Sequence, residues 1–133
     1  MSAAKVAIVG AAETTALGRI PQMSQIQLHA DAALNALADA GLTLKDIDGV
    51  ATAGESPTAV AHYLGIAPNW VDGTAVGGCS FMLHVRHAVA AIESGLCQCV
   101  LITHGESGRS NVGRAGWASS PGSLSGQFES PFG

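Results

Sequence analysis

The sequence predicts an α/β fold, a mostly parallel sheet covered by helices, and three observations carry that prediction. Short β-branched runs alternate with longer stretches whose apolar residues recur every three or four positions. Glycine follows almost every one of those stretches, where a chain must turn. The resulting order of strand, helix, strand, helix, strand, helix, strand suits parallel pairing, because each crossover helix packs back on the sheet it has just left.

Taken in order, residues 5–9 (KVAIV), closed by Gly10, form the first predicted strand, of the kind buried on both faces. From Ser24 onward Ile26, Ala30, Ala33, Leu34, Leu37 and Ala38 lie on one helical face, opposite Gln27, Asp31, Asn35 and Asp39. Ser24 suits the N-cap of this helix and Gly41 its left-handed stop. Residues 43–48 read as a turn with room for a short helix, and 49–53 as the second strand. Pro57 opens a short helix over 58–64 that Gly65 ends. The third strand spans 70–76, and Gly77-Gly78 leads into a long helix over 79–94, with Phe81, Val85, Ala88, Val89 and Ile92 on one stripe and Gly95 as its stop. Residues 96–104, containing CQCVLIT, form the fourth strand. Residues 1–107 are thus expected to be one domain. Residues 108–133, rich in Gly and Ser, read as the start of a loop or lid region that is cut short, since Trp117, Phe128 and Phe132 call for burial that so short a tail does not offer.

Composition excludes several functions. Hydrophobic residues make up 47% of the 133 and charged residues 12%, too apolar for disorder and apolar enough that some surface is expected to meet another chain. A net charge of -4 without a Lys/Arg cluster argues against nucleic acid. No apolar run is long enough to cross a bilayer and the N-terminus lacks a signal-peptide core, so a soluble, cytoplasmic protein is expected. Cys79, Cys97 and Cys99 are expected to be reduced, the last two sharing one face of a strand. No dinucleotide fingerprint, P-loop or paired-cysteine zinc pattern occurs, so neither a nicotinamide cofactor nor a metal is expected.

The turn Val76-Gly77-Gly78-Cys79-Ser80 is the most informative chemical site, because helix N–H groups and the dipole can lower a thiol's pKa or bind an oxyanion. The stretch GGCSFMLHVRHAVAAIESGLCQCVLITHGES resembles the nucleophile helix of thiolases with the strand and loop that follow it, the loop being matched by Gly105, Glu106 and Ser107. KVAIVGAAETTALGR and LADAGLTLKDIDGV are similar to the opening of that superfamily, most of all to its sterol-carrier-protein-type thiolases. The resemblance covers nearly the whole chain. It implies the N-terminal half of a thiolase fold, a coenzyme A thioester as substrate with no permanently bound cofactor, lipid metabolism, and a dimer or hetero-oligomer through strand 70–76. The family's catalytic histidine and second cysteine belong to the absent half, so an incomplete active site is expected here.

Counted back from Gly95, the family's nucleophile position falls on Gly78, and Cys79 comes one residue late, a turn of about 100° on a helix. The resemblance therefore implies a retro-aldolase-like protein that makes or breaks a C–C bond beside the thioester without a covalent thiolate. A conventional thiolase or acyltransferase using Cys79, and a non-catalytic acyl-CoA-binding or scaffolding subunit, are the alternatives, with Cys79 otherwise a small buried thiol. Gly78, His104 and Glu106 are expected to contact substrate; Glu106 has a structural reading too, through loop N–H groups. Arg109 and Arg114 could meet coenzyme A phosphates or merely solvate their loop. His84 and His87, three apart, read as helix surface or subunit contact rather than metal ligands.

Overall fold

The computed structural model describes residues 6–110 and residue 112. Its elements are α1 (Gln25–Ala40), a 3-10 turn (Leu44–Asp46), β1 (Gly49–Ala53), α2 (Pro57–Leu64), β2 (Trp70–Asp72), α3 (Ser80–Glu93) and β3 (Val100–His104). The three strands form one parallel sheet in the order β2-β1-β3, with Gly49 beside both Trp70 and Val100 and Ala53 beside His104. The expected α/β class is therefore the observed one.

Each central position follows from its neighbours. All five residues of β1 are buried, as a strand must be when it has a strand on either side and helices on both faces. Ala33 and Leu37 of α1, Ala61 of α2, Val50 of β1 and Leu101 of β3 join Ile47 and Ile66 in one apolar cluster. That cluster contains no residue of α3, which touches all three strands and so covers the opposite face. The helix stops lie where glycine predicts them: Gly41, Gly65 and Gly95 have φ of 68, 72 and 74°. At the start of α1 the Ser24 N–H donates to Gln27 Oε1 at 2.8 Å.

Asp48 organises the amino end of the sheet. Its carboxylate accepts the N–H groups of Gln98 and Cys99, at 2.8 Å each for the shorter contact, while its carbonyl accepts those of Asn69 and Trp70. One residue ahead of the central strand thus fixes the entry of both neighbours. The same contacts start β3 at Val100 rather than at residue 96, because Gln98 and Cys99 spend their N–H groups on a side chain. Cys97 and Cys99 consequently precede the strand; Cys97 is buried, Cys99 half-buried, both are free thiols, and burial pushes both thiol pKa values up.

Two further strand expectations are corrected. Within 5–9 the described residues Val6 to Val9 form no strand, and Ile8 and Val9 are 76% and 62% exposed. The segment that follows lies along α1. Gly10 sits so close to Ala36 and Ala40 that a Cβ would collide with them, and the Ala11 N–H donates to Asp39 at 3.0 Å. The Thr15 N–H and hydroxyl reach Asp31, and Asn35 Nδ2 donates to the Glu13 carbonyl. The stripe Asp31, Asn35 and Asp39, predicted to face away from the core, is a row of grips for this segment. Strand 70–76 is cut to Trp70–Asp72 because Asp72 Oδ1 accepts the Thr74 N–H at 2.9 Å and its hydroxyl at 2.7 Å, which turns the chain.

Both long helices bury a more polar face than their apolar residues predict. On α1 the buried residues are Gln25, Leu28, His29, Ala30, Ala33 and Leu37, whereas Leu34 is 50% exposed. On α3 they are Ser80, His84, Ala88 and Ala91, and Phe81 is 45% exposed.

Candidate functional site

The carboxyl ends of the strands carry two polar assemblies, one under each long helix. On the α1 side His29 is buried between the ends of β1 and β3, with Nδ1 2.7 Å from Thr103 Oγ1 and Nε2 3.1 Å from the Gly105 carbonyl. A carbonyl only accepts, so Nε2 carries the proton and the Thr103 hydroxyl donates to Nδ1. Burial, opposed by the bond to Gly105, lowers the pKa of His29 and keeps the ring neutral. Gln25 extends the assembly, donating to the Gly54 carbonyl and accepting the Ser107 N–H. Periodicity missed both residues; the available signal was two polar groups at helical spacing within an apolar stretch.

On the other side α3 holds the turn that leaves β2. The buried Ser80 hydroxyl donates to the Gly77 carbonyl at 2.6 Å and accepts the Val76 N–H at 2.9 Å. One helical turn on, His84 is fully buried and its Nε2 donates to the Thr74 carbonyl at 2.9 Å, which leaves Nδ1 as a buried nitrogen without a partner among the described residues. His87 Nδ1 lies 2.6 Å from Asp72 Oδ2. Burial tends to raise the Asp72 pKa, but hydrogen bonds from the Thr74 hydroxyl, His87 and the Thr74 N–H outweigh it and hold the carboxyl down at about 2. Asp72 is thus an acceptor, and Nδ1 is the protonated nitrogen of His87. The expectation of His84 on the helix surface is corrected: a polar face of α3 is buried because the turn offers it backbone groups to bind. Sequence spacing linked neither histidine to Asp72 or Thr74.

The turn itself presents the chemistry. Gly77 has φ 88°, and Cys79 is the N-cap of α3. Cys79 is exposed, against the expected small buried thiol, and among the described residues its Sγ has one hydrogen-bond partner, the Val76 carbonyl at 4.0 Å. No side-chain base is within hydrogen-bond distance of that thiol among the described residues. At Gly78 a side chain would meet nothing within 4 Å. Val76, Phe81 and Met82 surround the turn with exposed apolar surface. His104, at the carboxyl end of β3, stands beside it, its ring 5.9 Å from that of Phe81.

Gly78 and Cys79 lie at the start of α3, and His104 meets that helix through Phe81. Glu106 is placed apart, where it lines an open cleft with Ser107, Arg109, Gly18, Ile20 and Leu28. Arg114 lies outside the described residues. Among the described residues no group of three or more His, Cys, Asp or Glu could hold a metal, and no helix is long and apolar enough to cross a membrane.

No protein-family model matches the chain. Over 105 residues it is 33% identical to the 17-hydroxy-3-oxo-4-pregnene-20-carboxyl-CoA lyase of Mycobacterium tuberculosis, a match covering 76% of this chain and 27% of the lyase. The solved Ltp2-ChsH2(DUF35) aldolase superposes with a TM-score of 0.72 and 30% identity, over 96% of this chain and 33% of the aldolase chain. A monomeric SCP2-thiolase-like protein type 1 from Mycobacterium smegmatis gives a TM-score of 0.60 and 29% identity, over 73% of this chain and 22% of that protein. The chain thus spans between about a fifth and a third of the length of these relatives. In sequence and fold the chain is similar, over part of their length, to a sterol-carrier-protein-type thiolase-like protein, an aldolase and an acyl-CoA lyase.

Proposed function

We propose that the protein to which this chain belongs is a C–C lyase acting on a β-hydroxyacyl-CoA, with no covalent acyl-enzyme. The observation that carries this reading is the α3 turn: glycine occupies the expected nucleophile position, and the neighbouring thiol has no base within hydrogen-bond distance among the described residues. In the reaction the β-hydroxyl gives up its proton, the Cα–Cβ bond breaks, and its electron pair moves into the thioester as an enolate that takes a proton at Cα. A carbonyl compound and a shortened acyl-CoA leave. The positive end of the α3 dipole suits the enolate oxygen. The identity to an acyl-CoA lyase supports the same chemistry.

A second reading has its own observation. Cys79 is exposed at the amino end of a helix, and Gly77-Gly78 gives the turn freedom to bring it round. A conventional acyltransferase would use it. The test is to incubate the longest natural form of the protein with a β-hydroxyacyl-CoA and follow the release of shortened acyl-CoA. Release undiminished in Cys79→Ala supports the lyase; release abolished by that change points to the thiolate.

Assembly belongs to the same proposal. Beyond β2 the sheet has no further strand among the described residues, and Val71 and Leu96 are 41% and 55% exposed beside Trp70 in an open groove. A second chain, the same or different, would pair with this edge.

A further inference from the structure

We propose that His84 is a positioning residue: together with Ser80 it fixes the turn carrying Gly77, Gly78 and Cys79, at a cost to stability that a purely structural residue would not bear. The inference rests on reading that turn as the site. Three side chains at successive turns of α3, Ser80, His84 and His87, each hold one piece of the segment that runs from β2 to the helix. Ser80 binds Val76 and Gly77, His84 binds Thr74, and His87 binds Asp72, which in turn binds Thr74. The backbone groups they hold belong to Thr74, Val76 and Gly77, and the one side chain they hold is the Asp72 carboxylate.

What separates positioning from packing is the orphaned nitrogen. His84 is fully buried, and its Nδ1 meets no donor among the described residues. A buried polar atom without a partner is unfavourable, and a leucine of similar size would remove it. The Thr74 carbonyl that His84 holds belongs to a half-buried residue within reach of solvent, so water could replace the ring there. On stability alone leucine would serve at least as well. The histidine makes sense if the Nε2–H bond to Thr74 holds the turn in one geometry.

The test compares His84→Leu and His84→Gln in the longest natural form of the protein, by amide hydrogen exchange and thermal unfolding. No coenzyme A thioester is present, so a failure here leaves the proposed chemistry standing. In His84→Leu, exchange across residues 74–79 should speed up by about fivefold, the loss of one ordinary hydrogen bond, while the melting temperature stays level or rises. His84→Gln keeps a donor at the same distance along the side chain and should restore slow exchange. Ser80→Ala should speed exchange of the same segment with α3 intact. Wild-type exchange in His84→Leu, or a clear fall in its melting temperature including failure to fold, would overturn the proposal by making the residue irrelevant to the turn or a plain core residue. Fast exchange persisting in folded His84→Gln would overturn it as well.

Discussion

Two buried histidines, one under each long helix, hold the carboxyl ends of the strands in different ways. His29 has a partner on each ring nitrogen, and both partners belong to β3 or the loop after it. His84 has a partner on one nitrogen only, in the turn before its own helix. His29 joins residues 74 and 76 positions apart, whereas the α3 side binds residues three to fifteen positions away. The first ties distant parts of the fold together and leaves the Ser107 hydroxyl without a partner among the described residues; the second leaves His84 Nδ1 so and surrounds its turn with exposed Val76, Phe81 and Met82. Stability and site have been divided between the two faces of one small sheet.

Substitutions on the α1 side should cost most. At Gly54, with φ 94°, an added Cβ would run into the Gly105 carbonyl. Gly54→Ala should therefore lower stability by about 2–4 kcal/mol in denaturant titrations, combining backbone strain with a collision. His29→Leu should follow at about 2–3 kcal/mol, since it strands the Gly105 carbonyl and the Thr103 hydroxyl between packed elements. If His29→Leu is harmless while His84→Leu unfolds the protein, the division proposed here is reversed.

Acid should separate the two sides. The His29 pKa is lowered in the folded state, so below 6.5 the unfolded chain binds the extra proton and the folded chain resists it. Its contribution is complete above about 6.5 and is lost as pH falls through that value. The Asp72 pKa is also lowered, to about 2 from 3.8, so its contribution persists to pH 3.8 and is lost only as pH falls from there toward 2. Stability followed against pH should drop first near 6.5, with His29→Gln removing that step, and again below 3.8, with Asp72→Asn removing the second.

The smallest expected effect on stability is at the open side. Gly78 faces free space and its φ lies outside the left-handed range, so Gly78→Cys should fold within about 0.5 kcal/mol of the parent. It also restores a thiol at the expected nucleophile position, and should acquire acyl groups that the parent does not.

Much of the frame is written locally. Pro57 with Gly65, Ser24 with Gly41, and the run GVATA each declare their element within a few residues, and each element is found there. The turn at Gly77-Gly78 before α3 could be read the same way. The buried polar face of each helix could not. Gln25, His29, Ser80 and His84 are buried because distant or turning backbone supplies their partners, and a pattern that counts apolar residues assigns such positions to solvent. Residues 6–9 failed for the converse reason: an apolar β-branched run predicts a strand, but the segment that follows it is gripped by the polar stripe Asp31, Asn35 and Asp39 of α1. Asp48 and Asp72 escaped notice because a lone aspartate before or at the end of a strand has no spacing signature, although each decides where a strand begins or ends.

The most direct test of the central claim, a thioester site without a covalent nucleophile, is intact-protein mass spectrometry of the longest natural form after incubation with acetyl-CoA, beside Cys79→Ala. The account predicts an unmodified mass for both proteins. An acetyl adduct on the parent that disappears in Cys79→Ala would contradict it and make Cys79 the nucleophile.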